Sequence, residues 1–173
     1  MVFKVGECMK KKLNITLIIL LIFSLLTINI SAVPIGAKVE DLFDSTLATD
    51  HSYSGLTLTL TAGESVAFGD VVYMNWTDKE VKKADADAST TVPAIGIALE
   101  TKADGQACLV LIFGYIRDDS WTFTASMVYL SDGTAGGILS AAPSDAGDQV
   151  QRLGFAFHAN KMFFNPSFDV GEI

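Results

Sequence analysis

The stretch KADADAS, residues 83–89, sets Asp85, Asp87 and Ser89 two positions apart. Oxygen ligands in that alternation suit a calcium ion if the loop curls round it, but the central glycine and distant glutamate of an EF-hand are missing. A solvated acidic loop is the competing reading. His51 and His158 stand 107 positions apart and lack the local spacing of a zinc site. His51 lies near a polar arm, and His158 ends the apolar run GFAFHA, where a local hydrogen bond is expected, with a pH-sensitive subunit contact as the alternative. Asp70 and Asp148 each follow a glycine, in GDVVY and GDQVQ, and read as turn residues rather than a catalytic carboxylate pair. Arg117 is expected to pair with Asp118 or Asp119 at a turn. No phosphate loop, dinucleotide fingerprint or metalloprotease motif occurs. The residues therefore predict a protein that is not an enzyme and needs no cofactor.

Aromatic residues offer a second chemistry. Trp76 and Trp121 are candidates for stacking on sugar rings, and Asn75-Trp-Thr77 is an N-glycosylation sequon. Phe155, Phe157, Phe163, Phe164 and Phe168 crowd the C-terminal end, where alternating phenylalanines in strands predict core or interface.

The elements that must position these groups are strands. In GLTLTLTAGE, Leu56, Leu58 and Leu60 alternate with threonines, a period-2 pattern with one face directed inward. SVAFGDVVYMNW, PAIGIALE, QACLVLIFGYI, WTFTASMVYLS, QRLGFAFHA and KMFFNPSF come next, separated by Gly and Asp turn signals. The fold expected is all-β, a small antiparallel sandwich or barrel-like domain over residues 55–173. VVYMN (71–75) resembles MVYLS (127–131), and AIGIALET (94–101) resembles RLGFAFHA (152–159), at offsets of 56 and 58. This predicts two diverged β units, roughly 64–118 and 121–170. Runs such as ACLVLIFGY are apolar on both alternating faces, so a second sheet or another subunit must cover them.

The N-terminal region carries an address. Lys10, Lys11 and Lys12 precede the uncharged LNITLIILLIFSLLTI, residues 13–28, and Ser31-Ala32 with Pro34 beyond predict cleavage after Ala32. Met9 is a candidate start, and an uncleaved anchor through 13–28 is the alternative. Residues 33–54 then form a polar arm. Removing residues 1–32 takes away four lysines and one glutamate and moves the net charge from −8 to −11, which disfavours nucleic-acid binding. Cys108 is then the one cysteine left, so no internal disulfide forms, and a buried apolar role is expected.

Taken together, AGESVAFGDVVYMN, KADADASTTVPAIGIALET, GYIRDDSWTFT and MVYLSDGTAGGILSAAPSDAGDQVQRLGFAFHANKMFFNPS resemble the small β domains of bacteriophage tail fibres and related virion appendage or capsid-decoration proteins. The resemblance covers about two-thirds of the chain. It implies a structural role in a trimer or other symmetric assembly, without catalytic residues. It also implies architectural positions: Gly69 and Asp70 opening the VVYM strand, Gly96 at a close approach in the sheet, Gly133, Gly136 and Gly137 in the turn after MVYLS. Pro143 and Gly147 would frame the next turn, and Asn165 with Pro166 would close the last strand. The secretory signal departs from virion proteins, which assemble in the cytoplasm. The functions expected are thus an exported structural protein that self-associates into a surface filament, sheath, coat or appendage, with GLTLTLTA available for donation to a neighbour, or a module that binds a cell-surface glycan, receptor or envelope component.

Overall fold

The computed structural model describes residues 43–173. The leader and the first ten residues of the arm lie outside the described residues. Those described form eleven strands and no helix: β1 (Tyr53–Thr61), β2 (Val71–Asn75), β3 (Glu80–Lys83), β4 (Ala94–Ala98), β5 (Ala107–Arg117), β6 (Ser126–Leu130), β7 (Ile138–Leu139), β8 (Gln149–Val150), β9 (Arg152–His158), β10 (Lys161–Phe164) and β11 (Gly171–Glu172). The domain is all-β, one curled antiparallel sheet forming a half-barrel.

Strand order is β3-β2-β4-β5-β10-β9-β6-β7, with β1 on β5 and a two-stranded β8–β11 ribbon apart. The long β5 organises it. β1 pairs along almost its whole length, whereas β4 meets it at Leu111 and Val110 and β10 at Gly114 to Arg117. The sheet bends between these two contacts, where Ile112 is bulged out of the β1 ladder. Gly55 and Gly114 face each other at the bend, and a Cβ on Gly114 would stand 2.3 Å from the Ser54 carbonyl oxygen, so only glycine lets the two backbones approach.

The repeated strings occupy corresponding places. Val72 pairs with Gly96 and Tyr73 with Ala94, leaving Ile95 bulged; Val128 pairs with Gly154 and Tyr129 with Arg152, leaving Leu153 bulged. The next rung outward continues the match, since Ile97 pairs with Leu111 and Phe155 with Phe163. Similar sequence has therefore produced the same strand pair, down to its bulge.

Two cores result. The main one lies inside the curl and joins both halves, with Val71, Ile97 and Leu111 packed with Leu130, Leu153, Met162 and Phe164. The second lies on the opposite face of the first half, where Val72, Ala98, Cys108 and Val110 meet Ala62, Val66 and Val81. Both faces of ACLVLIFGY thus find cover within the chain over its first half, the Leu109 and Leu111 face from the second half and the Cys108 and Val110 face from the segment after β1. Cys108 is fully buried, and burial followed by the nearby Glu100 pushes its thiol up. Gln151, also fully buried, bolts the halves together: its amide donates to the Ala94 and Ser167 carbonyls at 3.0 and 2.7 Å and its oxygen accepts the Ala94 N–H at 2.7 Å.

The alternation in β1 has a different outcome from its expected inward face. Leu56 and Leu58 are 51% and 53% exposed, and Leu60 alone of the three packs on the second core. The reason is position: among the described residues β1 is an edge strand, paired with β5 alone, so its leucines overhang the core. The arm's end also belongs to the domain, because Leu47 is buried and its carbonyl accepts the Arg117 guanidinium at 3.0 Å.

Candidate functional site, an aromatic sheet face

Across β6, β9, β10 and β5 the register aligns Met127, Phe155, Phe163 and Tyr115 in one row. Ala156, Met162 and Ile116 point the other way into the main core, so the row occupies the outer face. Phe155 and Phe163 lie 5.5 Å apart between ring centres, Phe163 and Tyr115 4.7 Å, and Phe157 reaches Tyr115 at 5.7 Å. Phe113 extends the patch at 4.9 Å from Phe163, and Phe43 sets its edge on Phe113 at 5.5 Å. These are the edge-on and tilted arrangements that ring quadrupoles favour. Leu56, directly opposite Phe113, widens the face.

Much of this face meets solvent. Met127 is 48% exposed, Phe155 42% and Phe157 38%. With Leu56, the exposed area is on the order of 400 Å², the size of the largest apolar patch on a typical monomer, a feature that is often functional. The outer edge of β1 adjoins it, with no ladder partner among the described residues. The late phenylalanines thus divide: Phe164 is core, while Phe155, Phe157 and Phe163 form the surface.

The sugar-stacking candidates separate as well. Trp76 caps the β2–β3 turn, 79% exposed, beside a cavity of about 380 Å³ lined by Tyr73, Met74, Asn75, Thr77, Thr90 and Val92. Trp121 is packed against Phe123 and the main core, 3.5 Å from where a Gly69 Cβ would stand. In the sequon, the Asn75 Oδ1 accepts the Thr77 N–H at 2.9 Å, which holds the turn.

A third cluster escaped the spacing argument. The ligand atoms of Asp50, His51 and Asp118 lie within 4.8 Å of one another, His51 Nε2 standing 3.7 Å from Asp50 Oδ2 and 3.8 Å from Asp118 Oδ2. The imidazole stacks on Phe68 at 4.3 Å, which aims it at the buried Asp118. A protonated His51 there would tie the arm to the end of β5; a neutral one offers nitrogen to a metal. No spacing rule brings together residues 67 positions apart; only the β1–β5 pairing does. Arg117 grips Asp119 with two bonds, at 2.7 and 3.1 Å, rather than Asp118. His158 Nδ1 stands 2.7 Å from Asn160 Oδ1, a local contact at the strand end.

The turn residues sit where strands reverse. Gly69 and Gly136 both have positive φ, and Asp70 Oδ2 accepts the Ala67 N–H at 2.8 Å in the turn leading into β2. Asp70 is held above the ordinary carboxylate range, chiefly by burial. The Gly133 N–H donates to the Ser131 Oγ at 3.2 Å, the Gly137 N–H donates to the Thr134 carbonyl, closing the turn that contains Gly136, and the Val71 N–H donates to the Gly136 carbonyl, tying that turn to β2. Gly96 stands opposite β5, its would-be Cβ 2.9 Å from the Leu111 carbonyl oxygen. Gly147 lies in the turn before β8, Pro143 is buried, and the Asn165 N–H, just before Pro166, donates to the Leu153 carbonyl as β10 ends.

Comparison with known protein families, curated proteins and solved structures finds no match to this chain. Among the described residues no helix is long and apolar enough to cross a membrane.

Proposed function

We propose that the protein is an exported, non-enzymatic structural protein that self-associates through the aromatic face, building a surface filament, sheath, coat or appendage. The observation that carries this reading is the row Met127, Phe155, Phe163, Tyr115, continuous across four strands and exposed at Met127 and Phe155. Its counterpart in the first half, Val71, Ile97 and Leu111, is wholly buried by a β unit of the same chain, so the covering group that fits is another such unit. A stable contact buries roughly 800 Å² per partner, about twice the face itself, and the open edge of β1 with Leu56 and Leu58 supplies the remainder. The likeness to virion appendage domains favours the same role.

Negative-stain electron microscopy and light scattering of the secreted chain, residues 33–173, test this. Filaments or a closed oligomer are expected from the wild-type chain and monomers from Phe155→Ser/Phe157→Ser. A wild-type chain that stays monomeric at high concentration would overturn the reading.

A second reading rests on Trp76. Its exposed indole beside the cavity at the β2–β3 turn suits a sugar ring, so glycan binding at that end is the alternative, tested by a glycan array with Trp76→Ala as control.

A further inference from the structure

Three acidic segments meet at the corner beneath β6 and β8. The Ala86 N–H donates to the Ser131 carbonyl at 2.8 Å and the Ala86 carbonyl accepts the Gln149 N–H at 2.7 Å, so the ADADA loop runs between the turns 131–137 and 143–148. Asp132 and Asp148 adjoin these two rungs. Asp148 is 6% exposed, and its Oδ2 has no hydrogen-bond partner, the one buried side-chain oxygen or nitrogen among the described residues so placed. The Asp132 carboxyl lies within hydrogen-bonding reach of the Asp148 carboxyl, and Asp145 adds a further negative charge. Its own N–H donates to Asp145 O at 3.2 Å and its carbonyl accepts the Ile173 N–H at 3.1 Å, so the backbone fixes where the carboxylate points.

A buried carboxylate oxygen lacking a donor costs more than most native structures carry, and a second carboxyl facing it adds repulsion. The charged side chains that act most on Asp148 are Asp132 and Asp145, both acidic, and among the described residues it has no ion-pair partner. We propose that Asp148 and Asp132 bind a calcium-class divalent cation, Asp148 Oδ2 being the inner ligand, Asp132 the second, and water completing an all-oxygen set. Such a cation would clamp the turn after β6 to the turn before β8, while Asp85 and Asp87 on the intervening loop add negative potential. Asp85 is partly committed already, since its Oδ1 accepts the Asp87 N–H at 3.1 Å. An affinity in the range of extracellular modules, Kd about 0.1 to 1 mM, is expected of two carboxylates on turns rather than a full cage.

The test is calorimetric titration of CaCl2 into the secreted chain, with thermal melts in chelator and in about 5 mM CaCl2. Saturable one-to-one binding and a rise in Tm of about 3–5 °C are expected. Asp148→Asn keeps the shape and relieves the repulsion, so it folds; it and Asp132→Asn should lose both heat and shift, whereas Asp87→Asn should retain them. Absence of binding by the wild-type chain, a calcium shift that survives Asp148→Asn, or an equal loss in Asp87→Asn would each overturn the proposal.

Discussion

Val71, Ile97 and Leu111 form one row across β2, β4 and β5; Met127, Phe155 and Phe163 form the corresponding row across β6, β9 and β10. The backbone pairing is the same, yet the first row is entirely buried and two of the three residues in the second are about half exposed. The difference lies in the cover each strand pair receives. The first row has the second half of the chain to pack on, while no third unit exists among the described residues to cover the second. Terminal units of stacked repeats ordinarily present a polar outer face. Here the outer face is aromatic, and the proposed self-association rests on that difference.

Removing the core row should have the largest effect. Leu111→Ala opens a fully buried site and should cost about 2–5 kcal/mol in urea unfolding. Phe155→Ser, at the partner of the corresponding position, should cost less than about 1 kcal/mol while abolishing assembly. If Phe155→Ser destabilised the monomer as much as Leu111→Ala, the aromatic face would be core and the comparison would fail.

The two bulge glycines give the next contrast. An alanine Cβ at Gly154 would stand 2.0 Å from the Phe163 carbonyl oxygen on backbone with φ of +142°, whereas at Gly96 the nearest atom is a movable Val110 methyl at 2.3 Å. Gly154→Ala should therefore cost about 3 kcal/mol or more and Gly96→Ala about 1–3 kcal/mol, by the same urea midpoints. Gln151→Leu, which strands the Ala94 N–H and carbonyl where the halves join, should match Gly96→Ala at about 1–3 kcal/mol.

Much of the fold could be read from residue order, because its causes are local. Gly-Asp turns, apolar runs and the paired strings at offsets 56 and 58 located β2, β4, β6 and β9, whose pairings share one register. The features that escaped depend on cover. Period 2 in GLTLTLTA tells which leucines share a face, but not that β1 lies on an edge with that face overhanging. The alternation in RLGFAFHA likewise hides the bulge at Leu153, which turns that leucine inward and leaves Phe155 outward. Alternating phenylalanines predict core or interface alike, and that Phe155 and Phe157 lie on an outer face uncovered among the described residues depends on the packing of the whole sheet. Gln151 and the Asp50, His51 and Asp118 cluster left no local sign, since each is assembled from segments more than 50 residues apart.

Acid titration provides the smallest contrast, between carboxyls that the fold penalises and those it favours. Asp148 is pushed above the ordinary range by burial, then by Asp132 and Asp145; Asp70 is pushed up by burial, with Glu64 adding to it and the Ala67 N–H and Lys83 opposing. For such groups the folded chain binds protons more tightly than the unfolded one, so in chelator stability should fall as pH rises from near 4 through their raised values. Asp119, Asp78 and Asp44 are held low, first by bonds to Arg117, Lys82 and Thr46 respectively, and act oppositely, losing their contribution as pH falls through their lowered values. All three are exposed, so solvent screens them, and buried Asp148 with half-buried Asp70 should set the slope above pH 4. Melts of the wild-type chain and Asp148→Asn across about pH 4 to 7 check the sign: the variant should lose part of the downward slope. An unchanged slope would mean that Asp148 ionises freely despite its burial. The facing carboxyls would then no longer distinguish this corner from the solvated acidic turn at Asp78 and Lys82, which an ion pair already balances.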